Sequence, residues 1–136
     1  MKFSFGLLKP DCLKRDLVEE VFAMIKLAGF KIIASKQVRL TEDQVAGVWP
    51  TCVGEPFYEE MVEFSLSGDS IVFIVEGDNV IDRLSDLVGH HDPTIAKKDT
   101  IRWRFATSLT ENIIHSALNA ETFWEEVVLF FEVSFI

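Results

Sequence analysis

The sequence predicts a mixed α and β domain, and three observations carry that prediction. Apolar residues occur in short blocks whose period switches between two and a helical spacing. Gly- and Pro-bearing turns separate the blocks. The chain has 136 residues, which suits a single domain over 1–136 and is cramped for two independent cores.

Phe3, Phe5 and Leu7 recur at every second position, so residues 3–8 read as a strand. Pro10 cannot donate to a sheet ladder and marks its exit. Asp16 resembles an N-cap, with Glu19 three residues on completing a capping-box pattern. Val18, Val21, Phe22 and Ile25 then keep helical spacing, and Gly29 suits a left-handed C-terminal position. Phe30–Val38 returns to strand character. Thr41 with Gln44 forms a second capping box, opening a short helix that Pro50 stops.

Pro56 suits a first helical position, with Phe57, Met61 and Val62 on one face of the helix after it. Ile71–Val75 is a continuous β-rich run of the kind found in a central strand buried on both faces. Glu76-Gly77-Asp78 turns the chain into a helical stripe, Val80, Ile81, Leu84, Leu87 and Val88, closed by Gly89. Residues 90–100 lack periodicity and read as a loop. Ile101–Thr107 reads as a fourth strand, and Asn119 caps a last helix containing Phe123, Trp124, Val127, Val128 and Phe131. A parallel doubly wound sheet and an α+β sheet of the ferredoxin-like type both satisfy this order, and the pattern does not separate them.

Twelve Phe within an apolar share of 49% supply a sizeable core and exclude a disordered chain. The apolar runs fall far short of the ~20 residues that span a bilayer. The N-terminus lacks a signal-peptide pattern, so a cytoplasmic protein is expected. Cys12 and Cys52 have no metal-site spacing and are expected to be reduced thiols. A formal charge of −9 argues against broad nucleic-acid binding, which needs a basic footprint. A small anion remains compatible, because local cations and backbone N–H groups override a global field. Lys9, Lys97, Lys98, Arg102 and Arg104 are the cations to watch.

No glycine-rich phosphate loop or dinucleotide fingerprint occurs. Lys9 directly follows a strand, where an ammonium can point into a ligand site, although a surface lysine is the commoner role. His115 is a candidate nucleophile, since a largely neutral imidazole can attack phosphorus. A lone histidine is more often structural. The adjacent His90 and His91 lack the spacing of helical zinc ligands, and no metal site is expected. Trp49 and Phe57 are candidate platforms for stacking a base, against the plainer role of core aromatics.

Eight separated segments together resemble the nucleoside diphosphate kinase family. They are Leu8-Lys9-Pro10-Asp11, Ala28-Gly29-Phe30-Lys31, Pro56-Phe57-Tyr58, Ser67-Gly68, Val75-Glu76-Gly77, Gly89 with Pro93, Thr100-Ile101-Arg102 and Asn112-Ile113-Ile114-His115. They run in family order across residues 3 to about 131, with family-like intervals. The resemblance implies an α+β, ferredoxin-like βαββαβ core: a four-stranded antiparallel sheet, an added helical hairpin and a C-terminal helix. It also implies transfer of a γ-phosphate from a nucleoside triphosphate to a nucleoside diphosphate, by a ping-pong route through a phosphohistidine.

His115 matches the family nucleophile and Glu126 the carboxylate that orients it. Lys9 and Arg102 match phosphate contacts, Asn112 a sugar-hydroxyl contact, and Phe57 the residue stacked on the base. Trp49 stands where the family usually has a tyrosine beside the cleft. Mg²⁺ is implied as a cofactor held mainly by the nucleotide's phosphates. The implied partners are nucleoside di- and triphosphates and further copies of the chain, in a dimer-based tetramer or hexamer.

The departures are specific. Ser85 stands at the position of a phosphate-contacting arginine. Arg83 lies roughly 200° away around a helix and is a poor replacement. His91 stands at the position of a phosphate-contacting threonine, and Ala117 at that of a serine in the histidine network. Trp103-Arg104 and Asp69 replace the family's usual Gly-Asp and proline. They motivate an alternative, a nucleotide-binding or regulatory homologue with weak or no kinase activity, and a plainer one, an assembly module without a pocket. Phe130–Ile136 is more apolar than a free tail, and packing against the same or a neighbouring subunit is expected.

Overall fold

The computed structural model describes residues 2–132, and its centre is one antiparallel sheet. Strands β1 (Phe3–Leu8), β2 (Lys31–Val38), β3 (Ser70–Glu76) and β4 (Ile114–Ser116) lie in the order β2-β3-β1-β4. Helix α1 (Pro10–Lys14) and helix α2 (Val18–Leu27) connect β1 to β2, and α3 (Glu42–Val48) and α4 (Tyr58–Ser65) form a hairpin before β3. Helix α5 (Val80–Val88) and helix α6 (Ile101–Phe105) precede β4, and α7 (Ala120–Val127) follows it. This is the ferredoxin-like α+β arrangement with an added hairpin and a C-terminal helix. The parallel alternative left open by the periodicity is excluded.

Strand alternation divides the core into two layers. Phe5, Leu7, Val72 and Ile74 pack with Val45, Val48, Phe123 and Val127 of α3 and α7. Leu8, Phe73 and Val75 face the opposite way, onto Val21, Ile25, Leu84 and Val88 of α2 and α5. Each such side chain contributes about 1.5–3 kcal/mol on burial, so both faces of the sheet are strongly held. Gly6 is required by this packing. It pairs with Phe73, and a Cβ on it would lie 2.2 Å from the Phe73 ring.

Local signals explain most boundaries. Thr41 and Gln44 form both halves of the expected capping box, as do Asn119 and Thr122 at α7. Gly29 and Gly89 take φ of +97° and +92° beyond α2 and α5. Asp69 accepts from Gln37 Nε2 and Arg39 Nε and ties β2 to the start of β3.

Three expectations are corrected. Ile101–Thr107 is not a strand: Thr100 Oγ1 accepts from the Trp103 N–H and caps α6, and the fourth strand is Ile114–Ser116. The alternation of Ile101, Trp103 and Phe105 imitated a strand, and a three-residue strand is too short for a period to show. Asp16 is not an N-cap: it sits at φ 57°, and α2 begins after Leu17 without a side-chain cap. Pro10 marks the exit of β1 as expected, and it also opens α1. Pro56 lies before α4, whose N-cap is Phe57. Phe130 stacks on Phe5 with ring centroids 5.6 Å apart, while residues 133–136 of the apolar tail lie outside the described residues. Cys12 and Cys52 are free thiols, and burial pushes Cys12 up to about 12. No helix among the described residues is long and apolar enough to cross a membrane.

Candidate active site

The register of the sheet assembles the site. Leu8 of β1 pairs with Ile114 of β4, which brings the next residue, Lys9, opposite Ile113. The Lys9 N–H donates to the Ile113 carbonyl at 2.8 Å. The Lys9 ammonium then donates to Asn112 Oδ1 at 2.7 Å and to the Thr110 carbonyl at 3.4 Å. It also lies 5.3 Å from the centre of the Trp49 ring. Burial, and next the neighbouring Arg102 guanidinium, bring the Lys9 pKa down to about 7, against an opposite pull from Asp11 and Cys52.

Asn112 has both amide N–H groups engaged, with the carbonyls of His91 and Leu109 at 3.1 Å each. One lone pair on Oδ1 has no hydrogen-bond partner among the described residues. Arg102, delivered by α6, spans three carbonyls: Gly89 at 3.0 Å, Ile114 at 2.6 Å and Asn112 at 3.4 Å. Burial lowers its pKa to about 10, so it remains a cation at neutral pH. Arg102→Met is therefore expected to lower stability by roughly 3 kcal/mol, because three carbonyls lose their charged donor. A urea midpoint at the wild-type value would refute that role.

His115 lies on β4 opposite Leu7, with its ring edge-on to Trp49 at 5.3 Å. Its Nε2 is 3.0 Å from Glu126 Oε1. Helical phase explains why Glu126 and not Glu125 reaches the ring. Glu126 follows Phe123 by three positions and shares its inward face, whereas Glu125 is exposed. A carboxylate accepting at Nε2 sets the proton there and leaves the Nδ1 lone pair for chemistry. Ala117 is fully buried in the core beneath and offers the ring no hydrogen-bonding side chain.

Lys9, Trp49, Arg102, Asn112, His115 and Glu126 thus come together. His91 joins them through its backbone carbonyl, and its ring stacks on His90 at 4.3 Å. Ser85 is half-buried on α5, one turn before Gly89, and makes no side-chain hydrogen bond among the described residues. Arg83 is no substitute: it donates to the Asp78 and Ala28 carbonyls and covers the Phe30 ring. Phe57 stands at the start of α4, is half exposed, and makes no ring contact with the cluster among the described residues.

Sequence reasoning missed several parts. Beyond Lys9, a groove of about 320 Å³ runs between Glu60 and Phe64 on α4 and the segment Ser108–Glu111. Exposed Leu109 lies in its wall. Ile113 has a φ of 78°, and the Ile114 N–H donates to the Asn112 carbonyl at 2.9 Å. That is a γ-turn of the strained kind, with a buried β-branched residue at its centre and a cost of about 1–3 kcal/mol. The Ile113 N–H donates to Asp11 Oδ2 at 3.1 Å. The adjacency of Lys9 and Asp11 in one tripeptide was the available signal for this.

Comparison with known proteins agrees with the geometry. The family model described as nucleoside diphosphate kinase matches residues 3–136. Among solved structures, the apo nucleoside diphosphate kinase of Encephalitozoon cuniculi is 28% identical, with a TM-score of 0.92 over 100% of this chain and 96% of that one. The halophilic nucleoside diphosphate kinase of Halobacterium salinarum, solved in complex with CDP, is 26% identical, with a TM-score of 0.91 over 96% of this chain and 88% of that one. The enzyme of Aquifex aeolicus is 27% identical, with a TM-score of 0.90 over 97% of this chain and 96% of that one.

Proposed function

The chain belongs to the nucleoside diphosphate kinase family as a divergent member, and we propose that it transfers γ-phosphate between nucleotides through a phosphohistidine at His115. One observation carries this reading: a buried carboxylate, Glu126, holds Nε2 at 3.0 Å and leaves Nδ1 without a hydrogen-bond partner among the described residues. In the first half-reaction an Nδ1–P bond forms as the bond between Pγ and the bridging oxygen breaks. The electron pair and negative charge leave with the nucleoside diphosphate. The second half-reaction reverses these events on another diphosphate.

Lys9 and Arg102 lower the barrier by meeting the charge on the transferring group and leaving oxygen. Their pre-set donors need little rearrangement, since both side chains are already anchored to carbonyl oxygens. The substrate enters as its Mg²⁺ complex, the ion held by phosphate oxygens. The side chains facing the phosphates are cations and an amide, a donor set suited to phosphate and not to the metal.

The groove past Thr110 takes the sugar and base, with Phe57, at the start of the helix that forms one wall, as the stacking residue and Asn112 Oδ1 toward the sugar. A dimer-based homo-oligomer in the cytoplasm goes with the same reading, and light scattering tests the assembly.

Incubation with γ-labelled ATP and Mg²⁺ tests the chemistry. A base-stable, acid-labile label that a nucleoside diphosphate discharges is the expected result. Saturable nucleotide binding without label would instead identify a binding homologue. Ser85→Arg is expected to lower KM for the triphosphate roughly ten- to a hundredfold, the value of one added charged phosphate contact. An unchanged KM in steady-state assays would mean that the site does not lack that cation.

A further inference from the structure

We propose that Asp11 is a positioning residue for the nucleophile, holding through the Ile113 amide the strained turn that sets His115 in place. The proposal rests on the phosphotransfer reading above. Ile113 is gripped at both of its backbone groups by one short segment: its carbonyl accepts from the Lys9 N–H at 2.8 Å, and its N–H donates to Asp11 Oδ2 at 3.1 Å. Pro10 between them opens α1 and restricts the backbone, so the spacing of the two grips is preset. From the other side, Arg102 holds the carbonyls of Asn112 and Ile114. A γ-turn at φ 78° persists only where its surroundings over-determine it, and these contacts do so.

Asp11 has little else to do. Its side chain is 3% exposed, and Oδ1 has no hydrogen-bond partner among the described residues. The nearby Lys9 ammonium is engaged elsewhere, donating to Asn112 and Thr110. Burial raises the carboxyl's pKa, with the Lys9 charge and backbone N–H groups opposing. A carboxyl kept in so unfavourable a place, with one long-range bond, is explained by what that bond holds. His115 is two residues beyond the gripped amide, and its Nε2 must meet Glu126 on a separate helix. A shift of the turn moves Nδ1 relative to the phosphate, while Lys9 and Arg102 keep anchors outside the turn at the Thr110 and Gly89 carbonyls.

The test compares wild type, Asp11→Ala and Asp11→Asn as full chains. Asparagine keeps an acceptor of the same shape, and alanine removes it. Stopped-time labelling with saturating Mg·ATP is expected to show phosphorylation of His115 slowed roughly ten- to a hundredfold in Asp11→Ala. The dissociation constant for ADP should change by less than about threefold, and Asp11→Asn should stay within about threefold of wild type in both. Two further readouts are independent of activity: faster hydrogen exchange at the Ile113 amide, and a changed ¹⁵N tautomer pattern of the His115 ring, both in Asp11→Ala only.

Equal losses in Asp11→Ala and Asp11→Asn would overturn the proposal, since charge and not position would then matter. A fall in ADP affinity matching the fall in rate would also overturn it. Should Asp11→Ala not fold, Asp11→Ser, whose shorter acceptor misses the amide, takes its place with the same criteria. Were wild type itself not labelled, the phosphotransfer reading would fail. The amide exchange and ring tautomer would still decide whether Asp11 holds the turn.

Discussion

His115→Ala is expected to yield no acid-labile label and to reduce ping-pong turnover by ~10⁴-fold or more, the scale seen when a covalent nucleophile is removed. The loss is that large because no neighbouring group can take over. The nearest carboxylate, Glu126, is buried behind the ring, and Lys9 is committed to Asn112 and Thr110. Nor does truncation disturb the support, since the β4 backbone continues to pair with β1. Labelling with γ-labelled ATP, alongside ADP binding by calorimetry, separates the two effects. Retained binding without label is the expected pair of results. Label in the alanine variant would place the nucleophile elsewhere.

Lys9→Met is expected to divide function from stability. Turnover should fall roughly a hundred- to a thousandfold, the usual effect of deleting one pre-set donor to transition-state charge. The nucleotide-free protein should nevertheless become more stable. An ammonium with a folded pKa of about 7, against 10.5 in its ordinary state, is destabilising by roughly 5 kcal/mol at most. The cost is fully present below pH 7, where both folded and unfolded chains are protonated. Between about pH 7 and 10.5 the unfolded chain binds the proton more readily, so stability rises with pH across this window. Methionine removes that dependence and fills similar volume.

Denaturation midpoints at pH 6 and pH 9 check the claim. Wild type should gain on Lys9→Met as pH rises, and equal gaps at the two values would refute the buried charge. A bound phosphate also reverses the shift, so nucleotide binding at pH 8 should take up a proton. Calorimetry in buffers of different ionisation enthalpy measures that uptake, which Lys9→Met should abolish. Set beside the expected strut role of Arg102, these outcomes would give the two cations opposite effects on the folded state.

The site was legible in the sequence to different depths. Glu126 was reached only through the family resemblance, as was the role of His115 in the motif Asn112-Ile113-Ile114-His115; by charge pattern alone Glu125-Glu126 reads as a solvated helix face. Ser85, His91 and Ala117 were equally readable as departures. The side-chain function of Asp11 was not, because its partner is 102 positions away and no periodicity encodes such a bond. The same holds for Lys9 with Asn112, 103 positions apart.

Elements whose signals are local were determined by the sequence itself. The alternation in β1, the β-rich run of β3, the stripe of α5 and the caps at Thr41 and Asn119 each lie within one element, where propensity and capping act. The fourth strand and α6 went astray where three residues gave too little period and a single threonine cap decided the outcome. Sheet direction, the pairing of Leu8 with Ile114 and the strained turn at Ile113 were decided only by tertiary structure. Each depends on contacts between segments far apart in the chain, and only closing the sheet brings Lys9 and Asp11 within hydrogen-bonding distance of the turn before His115.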